Sequence, residues 1–317
     1  PMKISKNILF LFLIFFINSC SFKSYVNSKN EGSYNNTNFG KFLAASYSVQ
    51  NGDISFASSI LTNKIDYSKD DKLVELAFFS KIINGDFIQA NSLKKKYPFI
   101  LDKSSFSLVP EIAINLKNKN FKKAIKLIDL SSDLPGFKNL KDKMNYIIKV
   151  LSSNNKQELN EIFNSIKNKD IYDILIFEDF LKNFNKNFID TFSKNSQTEV
   201  NSFLISGYFY RKNLIEKKME FLSHNLGYDF DRKRIILNFK NQDNVFINKP
   251  SFLLLISSYI SDLAIKYSQN KNIPSSYLKM LLEISNFIFP KLEFPNYYLS
   301  KIFIQENNQK LAIKKLE

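Results

Sequence analysis

The 317-residue chain has no tryptophan, one cysteine, one histidine and only seven glycines. A single cysteine closes no intramolecular disulfide, so noncovalent packing alone must hold the fold. Cys20 and His224 are too few to make a zinc site, and no carboxylate pair with ligand spacing flanks His224. The glycines never cluster into a phosphate cradle, and neither a nucleophile elbow nor an HExxH motif occurs. Arginine is scarce as well, found only at Arg211, Arg232 and Arg234. Arginine is the residue suited to bidentate phosphate and base-edge contacts, so its scarcity weighs against nucleic-acid recognition. The formal charge of +15 comes from scattered lysines, which read as solvated helix faces. No metal, cofactor or nucleic acid is expected.

What is present is a large apolar fraction, 44%, enough for a sizeable core. The longest apolar run, ILFLFLIFFI at 8–17, follows Lys3 and Lys6 and precedes Asn18-Ser19-Cys20. A charged start, an apolar run of ten and small polar residues have the layout of a secretory signal. Ten residues are too few to span a bilayer, which takes about 20. Ile17-Asn18-Ser19-Cys20 resembles a bacterial lipobox. That resemblance implies a signal peptide over 1–19, lipidation of Cys20 and retention at the periplasmic face of a membrane. Ser21 after the cysteine implies the outer membrane, with the inner membrane or the soluble periplasm as alternatives. Residues 20–39, rich in Ser, Asn and Lys, read as a flexible tether. Loss of Lys3 and Lys6 with the signal leaves 15 − 2 = +13 on the mature chain. The Pro1-Met2 start reads as a translated fragment whose natural start is Met2.

Self-similarity dominates the rest. VQNGDISFASSIL at 49–61 and IINGDFIQANSLK at 82–94 place Gly52 and Gly85, and likewise Ala57 and Ala90, 33 residues apart. In NLKNKNFKKAIKLI at 115–128, Ala124 lies 34 beyond Ala90, and Leu159 follows 35 further on. Each unit reads as two helices. A periodic apolar stretch such as Leu73, Leu76, Ala77, Ile82 and Ile83 gives the first. Gly85 supplies the left-handed residue that ends it, and Asp86 begins the second. Ala90 then sits where a small side chain lets the pair close. One hairpin cannot bury its own apolar face, so hairpins must stack.

The spacing, the Gly turns and the small residues at Ala57, Ala90, Ala124 and Ala312 resemble the tetratricopeptide repeat, and the chain looks like an envelope protein of that type from alphaproteobacteria. The resemblance implies an all-α, right-handed superhelix (solenoid) of antiparallel hairpins built from divergent repeats. It departs from the family in lacking tryptophan and in Lys64 at a second small position. The expected organisation is N-terminal repeats over 40–170, degenerate helical repeats with an irregular insertion over 171–250, and C-terminal repeats over 251–317. The last hairpin stops at Glu317 without a capping helix, so the natural chain is expected to continue.

The family is known as interaction scaffolds without shared catalytic residues. The expected function is therefore non-catalytic: binding a protein or peptide in the concave groove lined by first helices, with the membrane reached through lipid. Tyr47, Tyr208, Tyr210 and Tyr259 are the candidate groove aromatics, since Tyr anchors partners with few rotamers to freeze. The alternative is a peptidoglycan-acting enzyme, similar to lytic transglycosylases, with one catalytic Glu on a helical superhelix. A third, weaker reading is a binder of anionic surfaces.

Overall fold

The computed structural model describes residues 38–50, 53–61, 71–153, 155–166, 170–180, 198–211 and 251–316. Cys20 with the signal-like run, Gly52, His224 and the stretch 227–250 lie outside them; Tyr210 falls in a helix, but its side chain is also outside. The described residues are all-helical, without a strand.

The repeat turn explains why the chain folds in pairs of rods. In the hairpin of α3 (Asp71–Ile83) and α4 (Phe87–Lys96), Gly85 takes φ +80°. Its N–H donates to Ile82 O at 3.1 Å, while the Asp86 N–H reaches back to Lys81 O at 2.8 Å. These two bonds satisfy the carbonyls that a helix end leaves open. Asp86 already occupies the N-cap position of the next helix, and its carbonyl accepts from the Ala90 N–H at 2.9 Å. One tight junction thus ends a helix and starts its partner.

The same junction recurs. Between α6 (Val109–Lys117) and α7 (Phe121–Leu130), Lys119 takes φ +60° and Asn120 bonds Asn115 O. Between α14 (Phe294–Gln305) and α15 (Gln309–Leu316), Asn307 takes φ +59° and Asn308 bonds Phe303 O. α1 (Asn38–Gln50) and α2 (Ile54–Ile60) keep the equivalent bond from Asp53 to Ser48 O. Ala57, Ala90, Ala124 and Ala312 all donate their N–H to the N-cap carbonyl four residues back, and all are buried. Leu159 does the same in α9 (Lys156–Asn164), the partner of α8 (Phe137–Ser152). These five residues hold one structural position.

Neighbouring hairpins pack in sequence, α2 on α3, α4 on α6 and α7 on α8, with the short α5 (Pro98–Leu101) and a 3-10 turn at Ser105–Leu108 between α4 and α6. α10 (Ile171–Phe180) rests on α8, and α11 (Glu199–Arg211) rests on α10. The C-terminal part then returns. α12 (Phe252–Ser268) and α13 (Ser275–Ile288) form the most extensively packed pair, with Ser257, Ser261 and Ser285 meeting at 2.7 Å where the helices close. α13 lies against α3 and α6, and α12 against α8. Those three are the first helices of successive hairpins.

Candidate functional site

The face expected to hold a partner is occupied by the chain itself. Phe287 of α13 meets Phe87 edge-on at 5.1 Å, and the Lys117 ammonium stands 4.0 Å over the Phe287 ring. Tyr277 packs edge-on against Phe106, and its hydroxyl donates to Pro135 O at 2.7 Å. Phe252 of α12 lies 3.8 Å from Phe121. α13 also presses on the second hairpin turn, where a Cβ on Gly85 would stand 2.8 Å from Glu283 Oε2. The row of first helices therefore offers no open groove beneath α13.

The four tyrosines separate accordingly. Tyr208 is fully buried, and Tyr259 is buried between α12 and α10, edge-on to Tyr172 at 5.3 Å. Tyr47 is exposed on α1. The described tyrosines do not share one face. Aromatics at helical spacing fell into the core because only there does their large apolar area leave water.

Two openings stand out among the described residues. The first, about 580 Å³, is lined by Asn139, Asp142, Lys143 and Tyr146 of α8, by Asp170 and Asp173 at the start of α10, and by Tyr259. Asp170 and Asp173 form a reciprocal cap: the Asp173 N–H donates to Asp170 Oδ1 at 3.1 Å and the Asp170 N–H to Asp173 Oδ2 at 3.0 Å. The Lys143 ammonium bridges both carboxylates, at 2.8 Å and 2.5 Å, while standing over the Tyr259 ring at 5.4 Å. Burial pushes the Asp173 carboxyl up to about 6, helped by Asp170 and opposed by Lys143. Burial also raises the Tyr146 and Tyr259 hydroxyls, so both stay protonated; that of Tyr146 donates to Asp173 O at 2.9 Å. Both Asp173 oxygens are engaged, which suits a lock between helices better than a base awaiting a substrate proton.

The second opening, about 540 Å³, lies between the first and last hairpins. Asp53, Phe56 and Ser59 of the α2 segment face Asn308, Lys310, Leu311, Ile313 and Lys314 of the α15 segment. Registered on Ala57 and Ala312, Asp53 matches Asn308, Phe56 matches Leu311 and Ser59 matches Lys314. Equivalent positions of two hairpins thus look at each other across the gap. Asp53 and Asn308 each cap their own helix, accepting from the N–H of Phe56 at 3.1 Å and of Leu311 at 3.2 Å. Phe56 is 45% exposed and Ile313 57%.

Among the described residues no group of three His, Cys, Asp or Glu is placed to hold a metal, and no helix is long and apolar enough to cross a membrane. Glu283, the one glutamate of α13, is buried and paired with Lys315, and burial raises its carboxyl. Comparison with known proteins finds no matching family model, no matching curated protein and no matching solved structure.

Both openings escape a reading of periodicity. The Lys143 cluster had one local signal, the pair Asp170-x-x-Asp173 ahead of an apolar run. The α2/α15 groove has none, because its walls, Phe56 and Leu311, are about 255 residues apart in sequence.

Proposed function

We propose that this chain is a non-catalytic interaction scaffold of the bacterial envelope, built from divergent tetratricopeptide-type hairpins. Lipid on Cys20 anchors it to the periplasmic face of the outer membrane, and it holds a protein or peptide partner there. The observation that carries the reading is the four-fold recurrence of one junction, with Ala57, Ala90, Ala124 and Ala312 in register and Leu159 at the matching position of α9. Such an array is a rigid frame whose chemistry is the surface it presents. The surface best suited to a partner is the groove between α2 and α15, which keeps apolar side chains open to solvent beside lysines. The lipid attachment rests on Ile17-Asn18-Ser19-Cys20 alone.

Two measurements test it. Cells fed labelled palmitate should label the parent protein and not Cys20→Ala; equal labelling removes the anchor. A photo-crosslinking residue at position 56 or 313 should trap a discrete protein in cells, whereas one at Lys138, an exposed position on α8, should not. Trapping nothing, or the same species from all three positions, removes the scaffold.

A further inference from the structure

The groove between α2 and α15 has an apolar floor, two lysines and one carboxylate. Phe56, Leu311 and Ile313 supply the floor. Lys310 and Lys314, one turn apart on α15, stand at its edge and make no ion pair among the described residues. The one carboxylate in the lining, Asp53, is committed to capping its own helix. Three other lysines have acidic partners: Lys143 has Asp170 and Asp173, Lys279 has Glu306, and Lys315 has Glu283. In the groove, two lysines with no ion pair among the described residues stand beside open apolar surface.

We propose that this groove receives an acidic peptide segment, whose apolar side chains seat on Phe56, Leu311 and Ile313 while its carboxylates pair with Lys310 and Lys314. The proposal rests on the scaffold reading and names the partner's chemistry. A second copy of the chain is the poorer occupant, because at +15 it brings like charge to a basic rim. An anionic membrane supplies the charge but meets a recess walled by two helices, which a flat lipid surface cannot enter. A peptide matches both features, since lysines at i and i+4 on a helix lie about 6 Å apart and two carboxylates on one side of an extended strand lie about 7 Å apart.

The test uses the whole protein and a fluorescein-labelled peptide of Glu-Leu-Glu-Phe repeats, read by anisotropy. Three controls accompany it: the peptide with Lys for Glu, the peptide with Ser for Leu and Phe, and phosphatidylglycerol vesicles. The acidic apolar peptide should bind and both altered peptides should not. Lys310→Glu with Lys314→Glu, and separately Ile313→Ser, should each weaken binding by about tenfold or more. All three side chains face solvent, and an unchanged circular dichroism melt checks that the variants fold. Equal binding of the Lys peptide, binding indifferent to both variants, or binding to vesicles alone overturns the proposal. If no peptide binds while crosslinks from position 56 still trap a protein in cells, the acidic class is wrong and the scaffold stands. If both fail, both readings fall.

Discussion

The Lys143 ammonium lies 2.5 Å from Asp173 Oδ1, with 8% and 3% of the two side chains exposed, and so ties α8 to the first turn of α10. Burial holds the Asp173 carboxyl near 6, above the value of about 3.9 it has in an unfolded chain. The folded state therefore binds a proton more readily than the unfolded state between these values. From this group, stability is fully present below about pH 4 and is lost as pH rises through about 6. Thermal unfolding of the parent and Asp173→Asn across this range should show the parent gaining on the variant as pH falls. Parallel melting curves would remove Asp173 as the titrating group.

Gly85 and Lys119 occupy one turn position with opposite costs. Gly85 tolerates φ +80° freely, and Glu283 leaves no room for a Cβ there. Gly85→Ala should destabilise by about 2 kcal/mol, combining left-handed strain with displacement of Glu283. Lys119 already bears that strain at φ +60°, so Lys119→Gly should stabilise by up to about 1 kcal/mol, less the backbone entropy that glycine adds to the unfolded chain. Urea unfolding of both variants checks the signs; a shared sign would refute the equivalence of the two turns.

The fourth residue of each second helix has to fit between two rods. At Ala90 and Ala124, both with no exposed surface, a leucine must push its neighbours apart. Ala90→Leu should cost about 1–3 kcal/mol by overpacking. Leu159 fills the same position between α8 and α9, so Leu159→Ala should instead lose about 2–4 kcal/mol by leaving a cavity. Denaturant midpoints that fall little for Ala90→Leu would mean that the first rods are less tightly closed than the hydrogen-bond register indicates.

These positions were legible because the junction is local. Gly85, Asp86 and Ala90 lie within six residues, and the pattern repeats every 33 to 35. The all-helical class followed from the same period. What covers the hairpins was not legible, because Phe87 at the start of α4 and Phe287 of α13 are 200 residues apart and nothing in either neighbourhood names the other. An amphipathic face shows only that something covers it. Tyr259 misled for a related reason: a tyrosine on an apolar stripe serves equally as a groove anchor or as a core residue, and here the Lys143 cluster and Tyr172 took it inward. Charge was equally ambiguous in sequence. Lys143 and Lys310 look alike there, yet one is enclosed by two carboxylates and the other rims an open groove.

The docking of α13 across α3 and α6 should make the N-terminal and C-terminal hairpins of the described residues one cooperative unit. Phe87, the first residue of α4, is fully buried beside that seam, and its ring meets Phe287 of α13. Phe87→Ala should cost about 3–5 kcal/mol, as large truncations in closed cores do. The loss should also spread, since α13 packs on α3 and α6 beneath it and on α12 and α14 beside it, and Glu283 ties it to Lys315 of α15. Native-state hydrogen exchange tests this directly: amides of α3, α6 and α13 should lose protection together in Phe87→Ala, by one shared free energy. If α3 loosens while α13 keeps its protection, the C-terminal hairpin folds as a separate unit and only leans on the first-helix face.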